Sequence, residues 1–320
     1  MSSSSVQTAP QQEEADAQAE QLQLYQHFPD LVSSLPSCSG LSHMPLYLHE
    51  QGWRAGPAPM VGAMAAAACF AARPTDVVVA TLPKSGTTWT KALLYATCVK
   101  TFEFQLYRAG GGAPGLGDLP DPRLFATHAP FPALPPSVAA APGCRVVYVC
   151  RDPKDTLVSL LHFVNRFRAR RGMELLSVEA AAGMFCAGAS PFGPYWEHVL
   201  GYWRAHLARP ERVLFLRYEE MQRDPAAHVR RLAEFAGVPF GAGEEDAAGA
   251  VARLCAFERM AGLEATKSGK TELVIGAVEN SAFFRRGVVG DWANHLSPET
   301  ARRIDDITRA KFEGTGLTVV

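Results

Sequence analysis

The sequence predicts an α/β fold, a single domain built on a central, doubly wound parallel sheet. Short runs of branched apolar residues alternate along the chain with segments of helical pattern, and this repetition is typical of an open parallel sheet. Each run is continuous, which indicates strands that are buried on both faces. A chain of 320 residues suits one large domain of this kind.

In chain order, predicted strands and helices alternate. Strands are predicted at 77–80, 145–149 and 212–216, and helices at 88–99, 154–170 and 194–208. Residues 109–122 are rich in glycine and proline and predict a surface loop near the functional site. A second irregular region, rich in glycine, lysine and arginine, is expected at 266–289.

Residues 1–23 are polar and contain few apolar anchors, so they predict a disordered tail, with 24–320 as the folded domain. This tail has no basic segment leading into an apolar one, which argues against a secretory signal and predicts a cytoplasmic protein. The longest apolar stretch, 60–72, is alanine-rich and too short to span a bilayer. It predicts a packed helix and no membrane partner.

The charge balance and the cysteines exclude several classes of protein. There are 31 Lys and Arg against 32 Asp and Glu, so no overall field favours nucleic acid as a partner. Seven scattered cysteines, never spaced as CxxC, argue against a disulfide framework or a zinc site, and we expect no bound metal. The oligomeric state stays open.

The first predicted strand runs into a strand–loop–helix junction of P-loop-like form. Its sequence is Thr81-Leu82-Pro83-Lys84-Ser85-Gly86-Thr87-Thr88-Trp89. Such a junction presents free backbone N–H groups and the positive end of the helix dipole, so it predicts an anion site. It is not a Walker A loop, because Lys84 precedes the only glycine. The alternative is an ordinary turn with a Ser or Thr cap.

Two further basic segments predict phosphate contacts. Arg151 follows the second strand, with Ser159 two turns into the next helix, and ligands collect at this carboxyl edge of a parallel sheet. Arginine can grip phosphate with two hydrogen bonds. Alternatively, Arg151 pairs with Asp152 or Asp155 in a solvated turn. Near the C-terminus, Arg285-Arg286-Gly287 lies between aromatic residues and suits a second phosphate, or else forms a basic surface turn.

Together these segments resemble the cytosolic sulfotransferase family, in wording closest to its plant branch. The resemblance covers about 28–320 and rests on PKSGTTW (83–89), RDPKDTLVSL (151–160), PFGP (191–194), LRYEEM (216–221) and FFRRGVVGDW (283–292). It implies transfer of a sulfuryl group from the co-substrate 3′-phosphoadenosine 5′-phosphosulfate (PAPS). The implied acceptor is a hydroxyl of a small, largely apolar molecule such as a phenol, flavonoid, steroid or hydroxy acid.

The resemblance also implies roles for individual residues. The 5′-phosphosulfate would be held by Lys84, Ser85, Gly86, Thr87, Thr88 and Trp89, with adenine stacked on Trp89. The 3′-phosphate would be bound by Arg151, Ser159, Arg285, Arg286 and Gly287. Tyr218 and Phe257 would complete the adenine pocket, where aromatic faces suit stacking.

A catalytic base is implied by the segment PRLFATHAP (122–130), which matches a family stretch that carries a histidine. His128 would remove the acceptor's hydroxyl proton, since histidine titrates near neutrality. Lys84 would stabilise the leaving phosphate oxygen. The other eight histidines are interpreted as structural.

The chain departs from the family pattern at three positions. Ala256 stands where serine is common, which removes one hydroxyl from the nucleotide site, and Leu82 replaces a common aromatic residue. Arg286 stands where lysine is frequent, with the same charge. Two other functions stay open at this point: a nucleotide kinase, which would need magnesium, and a catalytically silent protein that binds the nucleotide or a hormone.

Overall fold

The computed structural model describes residues 27–49, 52–98, 121–244, 246–273 and 275–318, together with the backbone of 103–105. The predicted tail at 1–23 and most of the predicted loop at 109–122 lie outside these residues. Near the N-terminus a small antiparallel sheet contains β1 (Ser37–Cys38), β2 (Leu46–His49) and β3 (Gly52–Ala55).

The central sheet confirms the predicted fold class. It has five parallel strands: β4 (Val77–Thr81), β5 (Glu103–Gln105), β6 (Leu124–Thr127), β7 (Arg145–Cys150) and β8 (Val213–Arg217). Their spatial order is β5-β6-β4-β7-β8. From β4 the chain continues to β5 and β6 on one side and then to β7 on the other. Such a reversal opens a crevice at the carboxyl end of β4, where ligands bind in open α/β sheets.

Helices cover both faces of this sheet. In chain order, the helices of the described residues are α1 (27–33), α2 (Pro57–Cys69), α3 (Thr87–Cys98), α4 (Pro136–Ala140), α5 (Pro153–Arg170), α6 (Val178–Cys186), α7 (Tyr195–Ala208), α8 (Tyr218–Arg223), α9 (Pro225–Ala236), α10 (Ala247–Leu254), α11 (Phe257–Ala261), α12 (Glu264–Lys267) and α13 (Pro298–Phe312). The predicted helices are confirmed with ends shifted by a few residues. Among the described residues, no helix is long and apolar enough to cross a membrane.

The continuous apolar runs are explained by two cores, one on each face of the sheet. Val78 and Tyr148 point into the core beneath α5, α6, α7 and α13, whereas Val77 and Val147 pack beneath α3 and α9. Because successive side chains of a strand alternate between faces, every position of β4 is buried. Leu82 also belongs to the first core and is only 4% exposed.

The region expected to be irregular, 266–289, is more regular than predicted. A two-stranded antiparallel hairpin forms from β9 (Lys270–Leu273) and β10 (Gly276–Glu279). A 3₁₀ turn, Asn280–Phe283, then leads into the Arg285-Arg286-Gly287 loop. Val278 anchors the hairpin by packing with Phe167 of α5.

Candidate active site

The loop after β4 is a tight turn that leads directly into α3. Helix α3 begins at Thr87, one residue before the predicted start at 88, so Thr87, Thr88 and Trp89 form its first turn. Lys84 and Gly86 both have left-handed backbone, with φ of 71° and 104°. The first hydrogen bond of the helix runs from Thr90 N to the Gly86 carbonyl, 3.0 Å. The three N–H groups before Thr90 are therefore available to an anion.

Lys84 is held in an aromatic enclosure. Its Nζ donates to the Ala282 carbonyl at 3.1 Å and lies 4.6 Å from the ring centre of Phe163 and 5.5 Å from that of Phe283. Burial, reinforced by the nearby positive charge of Arg151, lowers the pKa of Lys84 to about 7. An anion bound beside Lys84 would oppose both effects and raise this pKa.

Arg151, at the end of β7, links the two other loops of the site. Its guanidinium donates to the carbonyls of Lys84 (3.3 Å) and Val288 (2.9 Å) and lies 4.7 Å from the ring centre of Tyr218. Arg151 is 3.4 Å from Asp155, yet both are buried, so the pair is not a solvated turn. Arg151 Nε is buried and finds no partner among the described residues.

The start of α5 supports this arrangement. Asp152 caps the helix by accepting from the N–H groups of Lys154 and Asp155. The Asp155 carboxylate, fully buried, accepts from the N–H groups of Gly290 (2.8 Å) and Trp292 (3.0 Å). The C-terminal basic loop is thereby fixed to α5. Ser159 is also buried, on the same helix.

Asp291 organises the two arginines of the C-terminal loop. Its carboxylate pairs with Arg285 at 2.5 Å and Arg286 at 3.0 Å, and it accepts from Asn294 at 3.1 Å. Burial alone would raise the pKa of Asp291, but the hydrogen bonds from Asn294 and Arg285 prevail and lower it to about 2. Arg285 Nε, like Arg151 Nε, is buried and has no partner among the described residues.

The predicted adenine-binding aromatics surround these loops. Tyr218 meets Trp89 edge to face, with ring centres 5.6 Å apart, and a Cβ on Gly86 would approach the Tyr218 ring at 2.8 Å. Phe257 lies 5.9 Å from Phe284. Gly287, with φ of 67°, packs so closely on Phe257 that any side chain would overlap this ring. Ala256, just before Phe257, caps α11 without a side-chain hydrogen bond.

His128 follows β6 at the same edge of the sheet. Its Nδ1 lies 2.8 Å from the carbonyl of Thr81, which can only accept, so Nδ1 carries the proton. Nε2 then bears the lone pair, and it has no hydrogen-bond partner in the described part of the chain. Burial, aided by the charges of Lys91 and Lys84 but opposed by the bond to Thr81, lowers the pKa of His128 to about 4. The side chain is a neutral imidazole at neutral pH.

Two contacts connect His128 to its surroundings. Thr81 Oγ1 is 2.6 Å from Thr87 Oγ1, which joins the strand that holds the imidazole to the first turn of α3. On another side, the Phe192 ring centre lies 5.3 Å from that of His128. The Phe192 turn is fixed by hydrogen bonds to Trp53 of β3. An apolar wall therefore stands beside the imidazole.

Comparison with known proteins adds to this geometry. Residues 74–316 match the family model described as a sulfotransferase domain. The chain belongs to the sulfotransferase family. It is 41% identical to cytosolic sulfotransferase 16 of Arabidopsis thaliana over 91% of each chain, and 37% identical to the flavonol 4′-sulfotransferase of Flaveria chlorifolia over 92% of this chain and 98% of that one.

A solved structure is similar over most of the fold. The mouse sulfotransferase complexed with PAP has a TM-score of 0.69 and 25% identity, covering 84% of this chain and 95% of that one. The identity to the Arabidopsis and Flaveria enzymes makes the present chain a plant-type sulfotransferase. The family model and the PAP complex indicate that it uses PAPS as its co-substrate. PAP stands for the donor without its sulfuryl group, 3′-phosphoadenosine 5′-phosphate.

The donors at this edge of the sheet suit the charges of PAPS. The first turn of α3 offers backbone N–H groups, and the orphan Nε atoms of Arg151 and Arg285 are buried donors that an anion would satisfy. Among the described residues, no cluster of three or more His, Cys, Asp or Glu could hold a metal ion. Asp155 and Asp291 organise these donors. Sequence reasoning named Asp155 only as an alternative partner of Arg151 and missed Asp291, although both stand inside the motifs already quoted.

Proposed function

We propose that this sulfotransferase moves the sulfuryl group of PAPS to a hydroxyl of a small, largely apolar acceptor, with His128 as the general base. The observation that carries the proposal is the hydrogen bond from Nδ1 to the Thr81 carbonyl. It leaves Nε2 as the acceptor atom of a neutral imidazole, which is the form a base requires.

The donor would be bound by the three loops. We assign the 5′-phosphosulfate to the N–H groups and hydroxyls of 84–89, and the 3′-phosphate to Arg151, Ser159 and the loop 285–287. Support comes from the contacts that link these segments, since Arg151 donates to Lys84 and Val288. Trp89, Tyr218 and Phe257 would enclose adenine, because their rings lie around the same loops.

The reaction is an in-line displacement at sulfur. The acceptor's O–H bond breaks as its proton passes to His128 Nε2, and an O–S bond forms. The S–O bond to the 5′-phosphate breaks, and PAP leaves with both bonding electrons. Lys84 would exchange its bond with Ala282 for the departing oxygen and stabilise the charge there. A positioned general base contributes about 10²–10⁴ in rate.

An apolar acceptor is supported by the surroundings of His128. The Phe192 ring stands beside the imidazole, and the Arg54 guanidinium carbon lies 5.3 Å from the centre of the Phe192 ring. A relative named flavonol 4′-sulfotransferase supports phenolic acceptors, and flavonoids, steroid-like molecules and hydroxy acids fit the same description. Several relatives are named cytosolic sulfotransferases, and we propose a cytoplasmic location for this enzyme as well.

The proposal is tested by incubating the protein with PAPS, without magnesium, and with a panel of phenols, flavonoids, sterols and hydroxy acids. Mass spectrometry should detect sulfated product and PAP in equal amounts for apolar acceptors. Sulfation confined to strongly polar or charged acceptors would contradict the proposed acceptor class. A requirement for magnesium would favour the phosphotransfer alternative.

A further inference from the structure

Helix α7 holds the backbone on which His128 stands. Two of its residues, His198 and Tyr202, lie one turn apart and face the central sheet. His198 Nε2 donates to the carbonyl of His128 at 3.0 Å, and Tyr202 Oη donates to the carbonyl of Ala129 at 2.7 Å. Two consecutive peptide groups of the loop after β6 are therefore anchored to one rigid helix.

The hydrogen bonds of this cluster run in one direction. Since a carbonyl only accepts, His198 Nε2 must carry the proton, and its Nδ1 then accepts from Tyr148 Oη at 2.9 Å. Both side chains are almost fully buried, and burial lowers the pKa of His198 to about 3. The Tyr148 ring also stacks on Tyr202, with centres 4.1 Å apart and planes 10° from parallel. His198 cannot change its tautomer without breaking its hydrogen bonds to Tyr148 and to the His128 carbonyl.

We infer that Tyr148 and His198 are positioning residues for the base. The inference rests on the proposed role of His128. The imidazole ring is fixed on one side by the Thr81 carbonyl, and its backbone is fixed on the other by His198. Together the two bonds determine where Nε2 lies, and a misplacement of about 1 Å can cost 10²-fold in rate. A mere packing role would need the rings but not the hydrogen bonds.

The test measures kcat and the KM for PAPS in variants of the cluster. His198→Phe keeps a ring but loses both hydrogen bonds, whereas His198→Gln retains an N–H donor near the position of Nε2. We expect His198→Phe to lower kcat with an aliphatic alcohol roughly tenfold, equivalent to about 1.4 kcal/mol in the barrier, with the KM for PAPS unchanged. His198→Gln should recover most of this loss.

Two further variants complete the design. His206→Phe is the matched control, because His206 also lies on α7 and bonds a carbonyl, that of Val213, away from the site. It should leave kcat unchanged. Tyr148→Phe removes a single oxygen, so it keeps the inference testable if His198→Phe fails to fold, and it should lower kcat several-fold. Folding is monitored by the rise in Tm on adding PAP.

Double variants separate this inference from the proposed base. In a His128→Asn background, His198→Phe should cause no additional loss of kcat, because the residue that it positions is absent. A further tenfold loss in that background, or wild-type kcat in both His198→Phe and Tyr148→Phe, would overturn the inference while leaving the base intact. If His128→Asn alone kept wild-type kcat, the proposed base itself would be wrong, and the inference would end with it.

Discussion

Binding of PAP should be accompanied by proton uptake at Lys84. In the free protein, burial and the positive charge of Arg151 lower the pKa of Lys84 to about 7. At pH 8 the side chain is then about nine-tenths deprotonated. The negative charge of bound PAP favours the ammonium form and raises the pKa, so nucleotide binding should take up close to one proton at pH 8 and very little at pH 6.

Isothermal titration calorimetry measures this uptake directly. Titrations of PAP at pH 8 in buffers of different ionisation enthalpy give the number of protons from the slope of the observed enthalpy. We expect about 0.9 for wild type, from a pKa of about 7, and close to zero for Lys84→Met. An equal uptake in both proteins would refute the reasoning, since the proton would then bind elsewhere. The absence of uptake in wild type would show that Lys84 is already charged.

Three further outcomes follow from the site. Arg285→Ala should weaken PAP binding by about 1.5–3 kcal/mol in a calorimetric titration, because a charged hydrogen bond is lost. The control variant Arg302→Ala changes an exposed residue of α13 and should leave the affinity for PAP unchanged. Since neutral His128 persists down to its pKa of about 4, the acid limb of kcat/KM should lie near that pH, where His128 becomes protonated, and an acid limb near pH 6.5 would contradict this. Gly86→Ala should lower the free energy of unfolding in urea by more than about 1 kcal/mol, because φ of Gly86 is 104° and the new Cβ would crowd the Tyr218 ring. A variant as stable as wild type would show that the loop relaxes to accept the methyl group.

The parts of the fold that could be predicted are those with a strong local signal. Strands β4, β7 and β8 are continuous apolar runs because both faces of the sheet are covered. Strand β6 was missed, since its four residues end in a threonine and lie between prolines. The hairpin of β9 and β10 was also missed, because Val278 is its one fully buried position and the two short strands leave no apolar pattern. Contacts with α5, a segment distant in sequence, hold the hairpin in place.

The site could be predicted only as far as its motifs reach. Residues of 84–89 and 285–287 could be proposed for the site because each motif is a local segment, and the parallel sheet brings the loop after β4 to the edge where ligands bind. The tautomer and the hydrogen-bond partners of each side chain in the site could not be predicted. Whether His128 presents Nε2 depends on a carbonyl 47 positions earlier, and the carbonyl of His128 depends on His198, 70 positions later. His198 was accordingly interpreted as structural, since a lone histidine carries no such signal.

The central claim is that His128 takes the proton of the acceptor. The most direct measurement compares the kcat of wild type and His128→Asn with two acceptors, an aliphatic alcohol and an acidic phenol. With PAP affinity unchanged, the variant should lose about 10²–10⁴ in kcat with the alcohol, as expected for loss of a general base. The loss should be much smaller with the phenol, which is already partly ionised. Turnover of the alcohol within a few-fold of wild type would contradict the account and place the base elsewhere.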